Sequence, residues 1–223
     1  MNYPIKGDFG VNNLLIVESK TDQYFFEALI KYINLDIKID APICSIDEYK
    51  CLGGMGHLEN KLVSMERTIK KNGIEQVGII FDADQEGIEL RTNEIQTTVD
   101  TVFGLEPEVN FSIFINHVNG FGEIETLLKA IKSQDSTVAD CLESWQECIP
   151  SNQKVSQKKL GKLWVEIYQE YDCCTKKEQR QIDRKCNHKA SFNKQPSIYD
   201  FEHQALDDLK IFLSKFKKIQ DSN

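Results

Sequence analysis

Glu18, the pair Asp82 and Asp84, and either Glu123 or Glu125 share a setting: each lies at or just beyond the end of a short apolar run of the kind that forms a buried strand. One such acid often does no more than cap the helix that follows, and for a lone Asp-x-Asp pair capping explains as much as ligation does. Acids arriving at one edge from several runs need a further reason. Crowded carboxylates repel one another and persist where protons or cations neutralise them. Hard oxygen donors favour Mg²⁺, Mn²⁺ or Ca²⁺ over zinc. The chemistry on offer is divalent-metal binding, with Mg²⁺ or Mn²⁺ activating water or stabilising a leaving oxygen.

The elements that must carry these acids follow from the spacing. Residues 13–17 (Asn-Leu-Leu-Ile-Val) predict a strand, and Tyr24, Phe25, Ala28, Leu29 and Tyr32 then repeat at helical spacing. Residues 37–46 alternate imperfectly around Pro42 and predict a weaker, edge-like strand. Leu58, Leu62, Met65 and Ile69 predict a helix that stops at Asn72-Gly73. Residues 76–81 are the clearest buried strand, followed by a helix over 87–103, an alternating strand over 109–118 and a helix over 124–131. Alternating strands and helices predict an α/β fold with a four-stranded, mostly parallel sheet between helices, whose ligands sit beyond the carboxyl ends of the strands. After residue 136 only helical periodicity remains, over 141–149, 159–171, 176–186 and 201–219. The organisation expected is therefore an α/β domain over 1–132 and a helical addition over 133–223 that packs on the same core.

Composition narrows the classes. The 223 residues are 40% hydrophobic and 28% charged, ordinary for a folded globular chain. No stretch is apolar enough to span a membrane and the first residues lack the apolar region of a secretion signal, so a cytoplasmic protein is expected. Seven cysteines without framework spacing then read as reduced thiols, with disulfides disfavoured. Cys173, Cys174, Cys186 and His188 fit no common zinc spacing. His57 and His117 are lone histidines, read as structural. The net charge of −8 argues against indiscriminate adhesion to nucleic acid, yet residues 151–195 hold eleven basic side chains against five acidic ones, leaving that segment at +6 and the rest at −14. Such a run is either a solvated helix face or a phosphate-contacting surface. Gly53-Gly54-Met55-Gly56 at a helix start could offer N–H groups to phosphate, but lacks the lysine and Ser/Thr of a P-loop.

Leu-Ile-Val-Glu-Ser-Lys-Thr-Asp at 15–22, Gly53-Gly54 and Ile-Ile-Phe-Asp-Ala-Asp at 79–84 resemble the Toprim domain of topoisomerases, bacterial primases and OLD-type nucleases, over roughly the first 130 residues. The Ile124-Glu125-Thr126-Leu127-Leu128 segment and a late lysine are similar to short standalone Toprim-like proteins of largely unassigned function. The resemblance implies that Glu18 serves as general acid or base or as a ligand, and that Asp82 and Asp84 bind Mg²⁺. Similarity to OLD-type nucleases adds Asp22 and Glu125 as ligands, making two metals feasible. It also points to a late lysine, Lys189 in preference to Lys194, that neutralises a phosphorane-like transition state, although an ordinary surface lysine is the plainer reading. Two departures matter. Ser19 replaces the glycine usual after the strand-one glutamate, and neither a DNA-cleaving tyrosine segment nor a primase zinc region is present, which disfavours topoisomerase or full primase activity.

The function expected first is a metal-dependent nuclease that hydrolyses DNA or RNA, alone or switched on by a partner protein. Two alternatives stand beside it: a nucleotide-sugar glycosyltransferase, which needs only the Asp-x-Asp pair, and a noncatalytic Toprim-like module that binds nucleotide or a partner.

Overall fold

The strand Asn13–Val17 (β1) is buried at every position, as a parallel strand covered on both faces must be. In the computed structural model, which describes residues 13–44, 54–181 and 185–217, β1 lies between Lys38–Ile39 (β2) and Gln76–Asp82 (β3). Asn110–Asn116 (β4) completes the sheet in the order β2-β1-β3-β4. Every pairing is parallel. The register sets Val17 beside Ile80 and Asp82 beside Asn116. The carboxyl ends of β1, β3 and β4 therefore finish along one edge, and the acids that follow them are delivered there. The fold is α/β, with the expected mostly parallel sheet found to be parallel throughout.

Side chains alternate across a strand, so each face of the sheet recruits its own helices. Leu14, Ile16, Val77, Ile79 and Phe81 pack with Leu58, Leu62 and Ile69 of Met55–Lys71 (α2) and with Ile95 and Val99 of Ile88–Phe103 (α3). Leu15, Val17 and Ile80 point the other way. They meet Phe25, Phe26 and Leu29 of Lys20–Tyr32 (α1), Leu127 and Leu128 of Ile124–Ala130 (α4), Trp164 and Val165, and Phe212 and Leu213. The last two pairs belong to later helices, and the helical segment after residue 133 shares this core with the sheet. Its elements are Thr137–Cys148 (α5), Gln157–Ile167 (α6), Lys176–Gln179 (α7), His188–Phe192 (α8) and Asp207–Ser214 (α9).

The chain departs from its periodicity in several places. The strand expected over 37–46 shrinks to the two residues of β2, and residues 45–53 lie outside the described residues. The helix expected to reach 171 leaves α-geometry at Tyr168–Asp172, which form a π-helical turn. Over 176–186 only α7 is helical before the undescribed residues 182–184. The helix expected to begin at 201 instead begins after a 3₁₀ turn, Gln204–Leu206, whose Ala205 N–H donates to the His203 ring nitrogen at 3.1 Å. The expectation of free thiols is corrected as well. Cys174 is bonded to Cys186 across twelve residues, a pairing that brings the end of the π-helical turn to the start of α8 and that no framework spacing announced. Among the described residues, no helix is long and apolar enough to cross a membrane.

Candidate metal centre

The turn after β1 sets the first two acids. Ser19 caps α1 in a reciprocal box: its hydroxyl accepts the Asp22 N–H at 3.2 Å while Asp22 Oδ2 accepts the Ser19 N–H at 2.8 Å. Asp22 thus serves both as a cap and as an acid of the cluster. Its other oxygen, Oδ1, is buried without a hydrogen-bond partner, in a residue only 4% exposed. Burial and the neighbouring Glu18 and Glu125 push this carboxyl up to about 8. Glu18 folds back against the start of α2, where Oε1 accepts the Gly54 N–H at 3.2 Å. A Cβ at Gly54 would stand 2.5 Å from Glu18 Cγ, so the close approach requires glycine. Gly54's N–H, expected to face phosphate, is engaged by the protein's own glutamate, and Gly53 lies outside the described residues. Burial, then Asp84, raise the Glu18 pKa, with Lys158 opposing.

β3 ends on Asp82, whose Oδ1 accepts from Asn116 Nδ2 at 3.3 Å. Burial and repulsion from Asp22, Glu18 and Glu125 hold its carboxyl well above the usual range. Ala83 turns inward and is fully buried. Asp84 then takes a left-handed backbone, φ 49°, which only Asn, Asp and Gly adopt with any ease. Two backbone hydrogen bonds with Gly122, at 3.0 and 2.9 Å, fix that conformation. The pair therefore splits: Asp82 is buried among carboxylates, and Asp84 reaches out between Lys158 Nζ at 2.8 Å and Arg91 Nη2 at 3.2 Å. Glu125, in the first turn of α4, is 6% exposed and pushed up to about 7 by burial, with Glu123 adding to the effect. Gly161 of α6 passes directly over it, where a Cβ would come within 3.3 Å of Glu125 Cβ. Glu123 is partly buried and its carboxyl is raised by burial.

The cations acting on these acids are Lys158 and Lys162 of α6 and Arg91 of α3. Although burial works against it, Lys158 has its pKa raised by the bond to Asp84 and by Glu18 and Asp82. Arg91 is buried and pairs with Asp84, Glu86 and Glu94. Lys189 is exposed on α8, with its ammonium 5.5 Å from the centre of the Tyr24 ring. Lys194 pairs with Glu178 at 2.9 Å. His117 is structural, accepting the Gly120 N–H at 3.2 Å. Sequence reasoning missed Asn116 and Arg91 as parts of the site. Arg91 has a faint signal in its spacing from Glu94, three residues on along one helix face. Asn116 has only its place at a strand end.

Glu18, Asp22, Asp82 and Glu125 are thus gathered closely enough to raise one another's or their neighbours' pKa values, with Asp84 at the rim. Their chemistry fits a hard divalent cation, and the orphaned Asp22 Oδ1 together with the equally orphaned Asn116 Oδ1 supplies buried oxygens with nothing to bind. Even so, among the described residues no three His, Cys, Asp or Glu side chains already stand in an arrangement that would hold a metal ion. The acids are instead engaged by Gly54, Ser19, Asn116, Arg91 and Lys158.

No curated protein and no solved structure matches the chain. A family described as "Protein of unknown function (DUF3226)" matches residues 12–218, which take in every acid of the cluster and both faces of the core. The chain belongs to the DUF3226 family.

Proposed function

We propose that the protein is a nuclease that hydrolyses phosphodiester bonds of DNA or RNA with Mg²⁺ or Mn²⁺, in the manner of the Toprim domains its sequence resembles. The observation that carries this reading is the buried, mutually repelling set Glu18, Asp22, Asp82 and Glu125, with an Asp22 oxygen left unpartnered. So many buried acids at one strand edge exceed what capping or core packing needs, since burying carboxylates together costs stability.

Glu18, Asp22, Asp82 and Glu125 would hold the cation, with Asp84 at its outer side. Bound metal would lower the pKa of a water and stabilise the leaving oxygen. Arg91 fixes Asp84 from behind. Lys158 is the group best placed to meet a phosphate, because it stands on the accessible side of Asp84 and its α6 neighbours Lys159 and Lys162 continue the positive charge. In this reading Lys158 takes the role expected of Lys189. A glycosyltransferase would need only Asp82 and Asp84 and leaves Glu18 and Asp22 without a purpose.

A second reading has an observation of its own. Because no ready three-ligand arrangement exists among the described residues, a noncatalytic module that binds nucleotide or a partner protein through the same edge also fits. One experiment separates the two: labelled DNA and RNA are incubated with wild type, Glu18→Gln and Asp82→Asn in Mn²⁺, Mg²⁺ and Ca²⁺, beside calorimetric titration of Mn²⁺. Cleavage by wild type alone, with Mn²⁺ or Mg²⁺, supports the nuclease. Binding without turnover supports the module.

A further inference from the structure

Three of the acids at this strand edge, Asp84, Glu123 and Glu125, also line a larger space. A cavity of about 730 Å³ opens between Asp84, Glu123 and Glu125 on one side and α5 and α6 on the other. This volume lies in the range of sites that enclose a small organic molecule. Leu142, Leu160 and Trp164 supply its apolar lining, among the polar side chains of the same two helices. Trp164 is held rigidly there: its indole N–H donates to Asp140 at 2.9 Å, its ring stacks on Tyr168 at 5.1 Å, and the Lys129 ammonium lies 5.2 Å from its centroid. Metal binding and hydrolysis account for the acidic lining but not for an apolar lining held in fixed geometry.

Depth decides what can use both linings. Glu125, the acid of the cluster that lines the cavity, is only 6% exposed, so a phosphate must enter the recess to reach it. A duplex carries its phosphates on a stiff outer rail, with a persistence length of about 50 nm, and cannot turn one phosphate inward without unpairing. A single strand bends at every residue and can splay one base out of its stack onto an apolar surface. Building on the nuclease reading, we infer that the cleft accepts one nucleotide of a single strand, with its phosphate toward Lys158 and the acids and its base against Leu142, Leu160 and Trp164. Acids outnumber lysines around the cavity, with Glu86 and Glu143 joining the cluster against Lys129 and Lys158, so strand entry requires a bound divalent cation.

The test uses the full chain with Mn²⁺ and three labelled substrates: a single-stranded oligonucleotide, its blunt duplex and the same duplex with a single-stranded tail. Leu160→Trp, which fills the cleft from a half-buried position, is assayed beside wild type, together with its melting temperature and Mn²⁺ titration. The expected result is cleavage of the single strand and the tail at least about tenfold faster than the blunt duplex. Leu160→Trp should lose cleavage of the single strand while still folding and binding Mn²⁺. Equal rates on single strand and blunt duplex overturn the inference and leave the nuclease reading standing, as does full activity in folded Leu160→Trp. Absence of cleavage of every substrate by wild type overturns the nuclease reading and the inference together.

Discussion

Asp22→Asn isolates the electrostatic cost of the cluster. In the native protein the Asp22 carboxyl is pushed from 3.8 to about 8 by burial and by Glu18 and Glu125. Between those two values the folded state holds a proton that the unfolded chain has released. Stability contributed by that proton is complete below pH 3.8 and is lost as pH rises, by about 1.4 kcal/mol per pH unit, until the folded-state value is passed. Asparagine has no proton to lose, so the variant lacks this decline. Between pH 5 and 7 its stability should therefore gain on wild type by about 3 kcal/mol. The asparagine oxygen can still accept the Ser19 N–H, now 2.8 Å from Asp22 Oδ2, so the helix cap survives and the comparison is not confounded by fraying of α1. Urea unfolding at half-unit pH steps in the presence of EDTA measures the difference. Parallel curves for the two proteins would show that Asp22 is ionised throughout and that the cluster is not crowded in the way argued. Repeating wild type with Mn²⁺ should flatten its decline, because a bound cation replaces the proton.

Other perturbations probe the remaining parts. Glu18→Gln and Asp82→Asn should each cut cleavage by orders of magnitude while the thermal melt stays cooperative; equal cleavage by folded variants would assign the activity to another site or to a contaminant. Gly54→Ala, whose Cβ would stand 2.5 Å from Glu18 Cγ, should displace Glu18 and weaken Mn²⁺ binding in calorimetry, although its backbone at φ −55° suits alanine; unchanged affinity would remove Glu18 from the ligand set. Charge reversal at Lys158, Lys159 and Lys162 should weaken binding alike for all nucleic-acid sequences and flatten its salt dependence, and an unaltered salt slope would mark these lysines as a solvated face. Gly78→Ala places a Cβ against Leu15 and 2.8 Å from Phe216, and should destabilise the fold by about 1–3 kcal/mol in urea titration.

What could be read from the chain was what local pattern encodes. The unbroken apolar run before Asp82 announced a buried parallel strand, and the acids at its end were found because a strand's carboxyl edge is fixed once the strand is. Periodicity also located α2, α3 and α4 nearly to the residue. It failed where a side chain's role depends on distant partners. Lys158 meets Asp84 across 74 residues of sequence, a pairing no local pattern announces. Asn116 carries no charge to attract notice and matters because the register sets it beside Asp82. The left-handed backbone of Asp84 follows from the Gly122 bridge, which no spacing reveals. The Cys174–Cys186 bond likewise depends on how the π-helical turn comes back toward α8.

The far end of the chain closes what the near end begins. Asn13, at the head of β1, donates its side-chain amide to the Phe216 carbonyl at 2.5 Å, across 203 residues, and Phe212 and Phe216 rest where Gly78 leaves β3 bare. On a ribosome adding about 5–20 residues per second, some 10 to 40 seconds separate the emergence of these two partners. Until then Leu15, Val17 and Ile80 have α1 and α4 against them but lack α9, the last part of their cover. The nascent chain therefore exposes the apolar strip beside Gly78 until α9 emerges, a surface that chaperones shielding apolar segments can hold.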